Sequence, residues 1–164
     1  MIDFWKKIIW QQYGAAIDML ENAITACPED IWAGEYKFWY NAYHTLFFLD
    51  YHSTDDAGSF MPPQPFTLSE MDPSGLMPDR VYSKDELLAY LEYGRNKCYN
   101  KIKTLMGEDV EKTIPNNYKE DFSQIEILLS SMRHVQHHTA QLNLLLRQGG
   151  YEPPKWVSRA KKQY

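Results

Sequence analysis

The amino-acid sequence predicts an all-α protein: a four-helix bundle running up-down-down-up, with a long crossing connection between its second and third helices. Three observations lead there. Four segments place apolar residues at spacings of three and four, no segment alternates convincingly as a strand would, and proline and glycine gather in the gaps. The first segment, from about Phe4 to Thr25, carries Phe4, Ile8, Ile9, Tyr13, Ile17, Leu20 and Ile24 on one face. Pro28 ends it, and Pro28-Glu29-Asp30 is the proline-containing, acidic start of a second helix in which Ile31, Trp32, Phe38, Trp39, Tyr43, Phe47 and Leu49 continue to about Tyr51. From His52 to Tyr82 the periodicity vanishes, and Pro62, Pro63, Pro65, Pro73 and Pro78 forbid a regular helix, so this stretch is a long ordered connection. Ser83-Lys84-Asp85-Glu86 has the form of a capping box and opens a third helix that ends near Gly107. A connection containing Pro115-Asn116-Asn117 leads into the fourth, the longest and most apolar, from about Lys119, including Phe122, to Gln148 before Gly149-Gly150. The short links favour antiparallel pairs, and a connection of about thirty residues can travel the bundle's length and leave helices two and three parallel.

A chain of 164 residues is one domain, 1–164, with a tail from about residue 150 in which Glu152-Pro153-Pro154 and Trp156 lie back across one bundle end. Aromatic residues make up 15%, which implies a core of rings or a ring-lined pocket. The net charge of −5 argues against nucleic acid as a partner, and the one basic cluster, Lys155, Arg159, Lys161 and Lys162, reads as a solvated tail. No run approaches the roughly 18 apolar residues that span a bilayer, and Met1 to Lys7 has no signal-peptide character, so a cytoplasmic protein is expected. Cys27 and Cys98 form no disulfide framework, and Cys98 reads as a packing residue.

Three of the five histidines lie within Met132-Arg133-His134-Val135-Gln136-His137-His138-Thr139-Ala140-Gln141. At about 100° per residue, His134 and His138 project about 40° apart, in a row that continues to Ile127 and Leu145, while His137 points roughly 100° from His138. Imidazoles on successive turns make a bidentate clamp for zinc, nickel or iron, and a site needs at least one ligand more. His44 offers it from the second helix, on a stripe with Tyr40, Phe47, Phe48 and Tyr51. Each of these histidines alone could equally be a hydrogen-bonded core residue, but three buried together without metal would each require partners among mainly apolar neighbours. His52 reads as a solvated loop residue. The zincin pattern fails because Val135 stands where its glutamate belongs, no histidine has the glutamate three residues before it that di-iron bundles use, and no helix-borne general base is evident.

On His44 behind its aromatic segment, the long connection, and His134-x-x-x-His138 within His-His-Thr-Ala-Gln-Leu-Asn-Leu-Leu-Leu-Arg, the chain resembles the DinB/YfiT-like superfamily of four-helix-bundle metalloproteins. The last segment is similar to that family's His-His-Arg-Gly-Gln, from which Thr139-Ala140 departs. The resemblance implies one divalent ion, usually zinc or nickel with iron or manganese as alternatives, held by His44, His134 and His138. It also implies thiol-dependent transfer on a small molecule with a low-molecular-weight thiol as candidate partner, while an open position on a three-ligand metal equally suits metal-assisted hydrolysis, and a homodimer is compatible with the reading. The competing class is a stress-related or ligand-binding protein whose metal is structural. No catalytic residue is named, and His137, Gln141 and Cys98 carry no assigned role.

Overall fold

The computed structural model describes residues 2–108, 113–114 and 122–162. It is mostly helical, with α1 (Ile2–Ala26), a single-turn α2 (Glu29–Trp32), α3 (Phe38–His52), α4 (Lys84–Thr104) and α5 (Gln124–Gln148). The principal packings join α1 to α4 and α5, and α3 to the same two helices. Side-chain partners fix the registers. Trp10 meets Tyr99 and Asp18 meets Arg95 between α1 and α4, and Tyr13 meets Ser131 and Met19 meets Gln136 between α1 and α5. Asp50 meets Lys97, and Thr54 just beyond α3 meets Lys97 and Lys101 on α4. Between α3 and α5, Asn41 meets Gln141, His44 meets His138, and Phe48 meets His134.

The expected second helix is in fact two. After Trp32 the chain turns through Gly34 and Lys37, whose φ of 47° is left-handed and incompatible with a continuing helix, and α3 restarts at Phe38. Trp32 is still anchored, its indole N–H donating to the Tyr82 carbonyl at the far end of the long connection. The fourth helix begins later than expected. Phe122 and Ser123 form a two-residue strand, β2, antiparallel to β1 (Thr113–Ile114), and Ser123 then caps α5 through a capping box with Glu126. The expected start at Lys119 and the Pro115-Asn116-Asn117 turn lie outside the described residues. At 25 residues α5 is no longer than α1. The Ser83–Glu86 capping box is present as expected, and Arg80 grips Glu86 and holds its carboxyl well down, at about 2.

Among the described residues, most aromatic side chains are buried in the core or packed against it. Tyr43, Phe66, Tyr82 and Tyr90 form one stack that ties α3 and α4 to the connection, whose Phe60, Phe66 and Tyr82 are buried. The tail does more than lie across one end of the helices, although Lys155, Arg159, Lys161 and Lys162 are exposed as expected. It runs along α1, with Ala160 N–H donating to the Gln11 carbonyl, Lys161 N–H to Asp18, and the Lys162 ammonium to Glu92. Gly14 makes this seat possible, because a Cβ there would lie 2.6 Å from that of Ala160. Among the described residues, no helix is long and apolar enough to cross a membrane.

Arg95 is the centre of the α1–α4 seam, 1% exposed and bonded to Asp18, Glu21 and Glu92. Since Asp18 is equally buried, removing the guanidinium leaves an uncompensated carboxylate in the interior. Arg95→Leu should therefore destabilise the protein by about 3–5 kcal/mol in denaturant unfolding. A loss below about 1 kcal/mol, the range of surface pairs, would show that the cluster does not stabilise the seam.

Candidate metal centre

The α3–α5 packing brings together the three histidines singled out in the sequence. Ring centroids are 4.4 Å apart for His134 and His138, 4.7 Å for His44 and His138, and 5.3 Å for His44 and His134. One ring nitrogen from each lies within 4.8 Å of the others. His134 and His138 lie on successive turns of α5, so their spacing follows from helix geometry, and His44 faces them from α3. Phe48 walls one side, 4.9 Å from His44 and 5.4 Å from His134. All three imidazoles are half-buried, and this is the only such cluster of potential ligands among the described residues.

The outer nitrogens have their own partners. His44 Nδ1 lies 2.6 Å from Glu70 Oε2, within hydrogen-bond distance. Glu70 rides on a single turn, Ser69–Met71, in the long connection, and Tyr43 secures that turn with its hydroxyl, which donates to the Thr67 carbonyl and lies 3.3 Å from Ser69 Oγ. The residue preceding His44 thus fastens the segment that carries its partner. The Glu70 side chain is 4% exposed and its Oε1 is buried without a partner. Tyr40 lies beside this carboxylate, and its phenol is pushed up to about 12 by burial and then by the Glu70 charge. On the other side, His138 Nδ1 is 2.7 Å from Gln141 Oε1, while the Gln141 amide N–H points at His137 Nε2 and Asn41 donates to the same Gln141 oxygen. His134 Nδ1 is buried without a partner.

Burial, and secondarily the His138 and His44 rings, lower the His134 pKa to about 3, and burial with His44 lowers that of His138. Two of the three rings are therefore neutral at neutral pH, with lone pairs available to a cation. A divalent ion fits this donor set: imidazole nitrogens on two facing helices, outer partners on two of them, and a buried carboxylate oxygen with no hydrogen-bond partner beside them.

His52 is not the solvated residue that the sequence suggested. It ends α3 half-buried, its ring 5.8 Å from Phe48 and 6.2 Å from His134, its Nδ1 buried without a partner, and its pKa lowered to about 4 by burial and by Lys101. The helix runs one residue further than expected and so keeps His52 on the interior face. His137 is exposed, meets Gln141, and sets its ring edge-on to His138 at 5.1 Å. Cys98 is wholly buried beside Tyr13 and Ser53, its thiol pushed up to about 12, as suits a packing residue. Sequence reasoning missed Glu70, since an acidic residue in an aperiodic connection carries no positional signal. It left Gln141 unassigned, although its place three residues after His138 puts it within reach along the helix.

No curated protein matches the chain. The family model for the DinB family matches residues 82–163, half of the chain, from just before α4 through His134 and His138 on α5 to the tail on α1. His44 and Glu70 lie before the matched stretch and meet it only in the folded structure, at the same three-histidine cluster. By that match, the chain belongs to the DinB family.

Proposed function

We propose that the protein is a mononuclear metalloenzyme in which His44, His134 and His138 hold one divalent ion, zinc or nickel before iron or manganese. The reaction is thiol-dependent transfer, or else hydrolysis, on a small molecule. The observation that carries this reading is the convergence of three half-buried imidazoles, at least two of them held neutral, from two helices with outer partners already in place. Structural zinc sites are closed by four protein ligands, whereas three leave room for a reactant. A bound divalent ion supplies Lewis acidity and favours the deprotonated form of a thiol or water.

The protein's own residues do the rest. His44 is oriented by Glu70 and His138 by Gln141, Phe48 keeps water from one face of the cluster, and Tyr40 offers a neutral hydroxyl at the rim. The up-down-down-up bundle belongs to this proposal. It is supported by residue numbers that rise together across α3–α4 and α1–α5 and run oppositely across α1–α4 and α3–α5. The proposal includes a cytoplasmic setting, a small-molecule partner taken from the family resemblance, and no nucleic acid, which the net charge of −5 disfavours, and a homodimer is compatible with it. The alternative, a binding protein with a structural ion, differs in requiring a closed coordination sphere.

Purified protein should carry about one divalent ion by elemental analysis. His134→Ala or His138→Ala should remove it and His44→Ala weaken it, because the remaining imidazoles do not make a three-ligand cup. Unchanged metal content in all three variants would make these histidines ordinary core residues.

Acid should release the ion. The folded His134 pKa lies below the value of about 6.5 for a free imidazole, so the folded state binds fewer protons, and stability present above about pH 6.5 is lost as pH falls. Metal binding acts in the same direction, since protons compete for the lone pairs. The melting temperature of the metal-loaded protein should drop from pH 7 to about pH 5 and converge on that of chelator-treated protein. Indifference to both acid and chelator would contradict the reading.

Cobalt substitution separates enzyme from binding protein. Adding a small cellular thiol should produce a sulfur-to-cobalt charge-transfer band at concentrations well below those needed for free cobalt. Displacement by small anions but not by thiols would favour hydrolysis, and an inert spectrum would favour the structural alternative.

A further inference from the structure

We infer that Glu70 is a positioning residue of the metal centre: through its hydrogen bond to His44 Nδ1 it selects the tautomer and ring orientation that turn Nε2 toward the ion. This rests on the metal-binding reading above. Three observations carry it. The contact is short, 2.6 Å, and reaches the outer nitrogen, which leaves Nε2 as the nitrogen free to face His134 and His138. An ionised carboxylate only accepts hydrogen bonds, so the proton of a neutral His44 must sit on Nδ1 and the lone pair on Nε2. The carboxylate is also buried at a cost that nothing on its own segment offsets. Its side chain is 4% exposed, Oε1 has no partner, and the ionisable groups that face it from the helices packed against it are Tyr40, Tyr43, His44 and, more distantly, His138, with no lysine or arginine paired to it among the described residues. A carboxylate so placed is compensated by a cation at the cluster it faces.

The long connection thereby acquires a definite task. Its turn Ser69–Met71 is held by Tyr43, and through Glu70 it reaches the ligand next to that tyrosine, so connection and helix clamp one another around the ring. Outer partners of this kind typically tune metal affinity by 10–100-fold. A purely structural Glu70 would instead stabilise the fold and leave the ring's proton where it is.

Two variants and two measurements separate these cases. Glu70→Ala should weaken cobalt affinity, measured by competition with a chromogenic chelator, by about 10–100-fold. Glu70→Gln keeps a carbonyl acceptor and should recover most of that loss. In metal-free protein at about pH 8, above the ordinary imidazole range, nitrogen NMR of the ring should show His44 with its proton on Nδ1 in the parent and in Glu70→Gln. It should show a mixture of tautomers or the Nε2–H form in Glu70→Ala. Cobalt affinity within about twofold of the parent together with an unchanged tautomer in Glu70→Ala would overturn the inference. So would an Nε2–H tautomer in the parent. If the parent binds no cobalt, the metal-binding reading fails by itself, and the tautomer comparison still decides whether Glu70 sets the ring.

Discussion

A neutral imidazole has a lone pair to offer and an N–H to place, and gathering three imidazole rings between α3 and α5 concentrates these demands at one point. The lone pairs can converge because helix geometry puts His134 and His138 on one stripe and the α3–α5 register puts His44 opposite. The N–H groups need acceptors, and the structure draws them from two sources: Gln141 one turn along α5, and Glu70 from the connection whose aromatic residues also pack against α3. Much of the surrounding structure follows from that second recruitment. Tyr43 must be buried to hold the Glu70 turn, and the stack of Phe66, Tyr82 and Tyr90 around it fixes the connection against α3 and α4.

Away from the histidines, the register of the helices is secured by buried charges. Asp50, fully buried near the end of α3, takes hydrogen bonds from Tyr90 and Lys97 on α4, and Arg95 binds Asp18 across the α1–α4 seam. A slide of one turn in either seam would strand a carboxylate in the interior, which apolar contacts alone do not forbid. These polar pins hold the helix positions on which the imidazole spacing depends.

The sequence made the parts with a period legible. Apolar stripes placed α1, α4 and α5 to within a few residues, the capping box located the start of α4, and a four-residue spacing identified His134 and His138. What it hid was set by tertiary contact or by single backbone angles. The break between α2 and α3 rests on the left-handed Lys37, a residue type that carries no such preference. His52 looked like a loop residue because Pro62 and Gly58 follow soon after, yet α3 runs on to include it and its ring turns inward to His134. Glu70 belongs to no motif and acquires meaning only from its neighbour in space. Lys161 and Lys162 are exposed, as the sequence suggests, but their bonds to Asp18, Asn22 and Glu92 were hidden because those partners are far away in sequence.

The seat of the tail on α1 also has a kinetic side. Most hydrogen bonds in a helical protein close rings of a few residues, and helices themselves equilibrate in about 0.1–1 μs. Here the bonds from Lys161 to Asp18 and from Trp10 to Lys162 join positions 143 and 152 residues apart, and Tyr13 to Ser131 spans 118. Contacts of that span reward the chain only after a large loop has closed, and folding rates fall as the mean separation of contacts rises. The groove around Gly14, left open to admit Ala160, therefore stays empty through the early, local phase of folding. It fills only when two distant segments find one another, so helix formation and completion of the α1 face proceed on separate clocks.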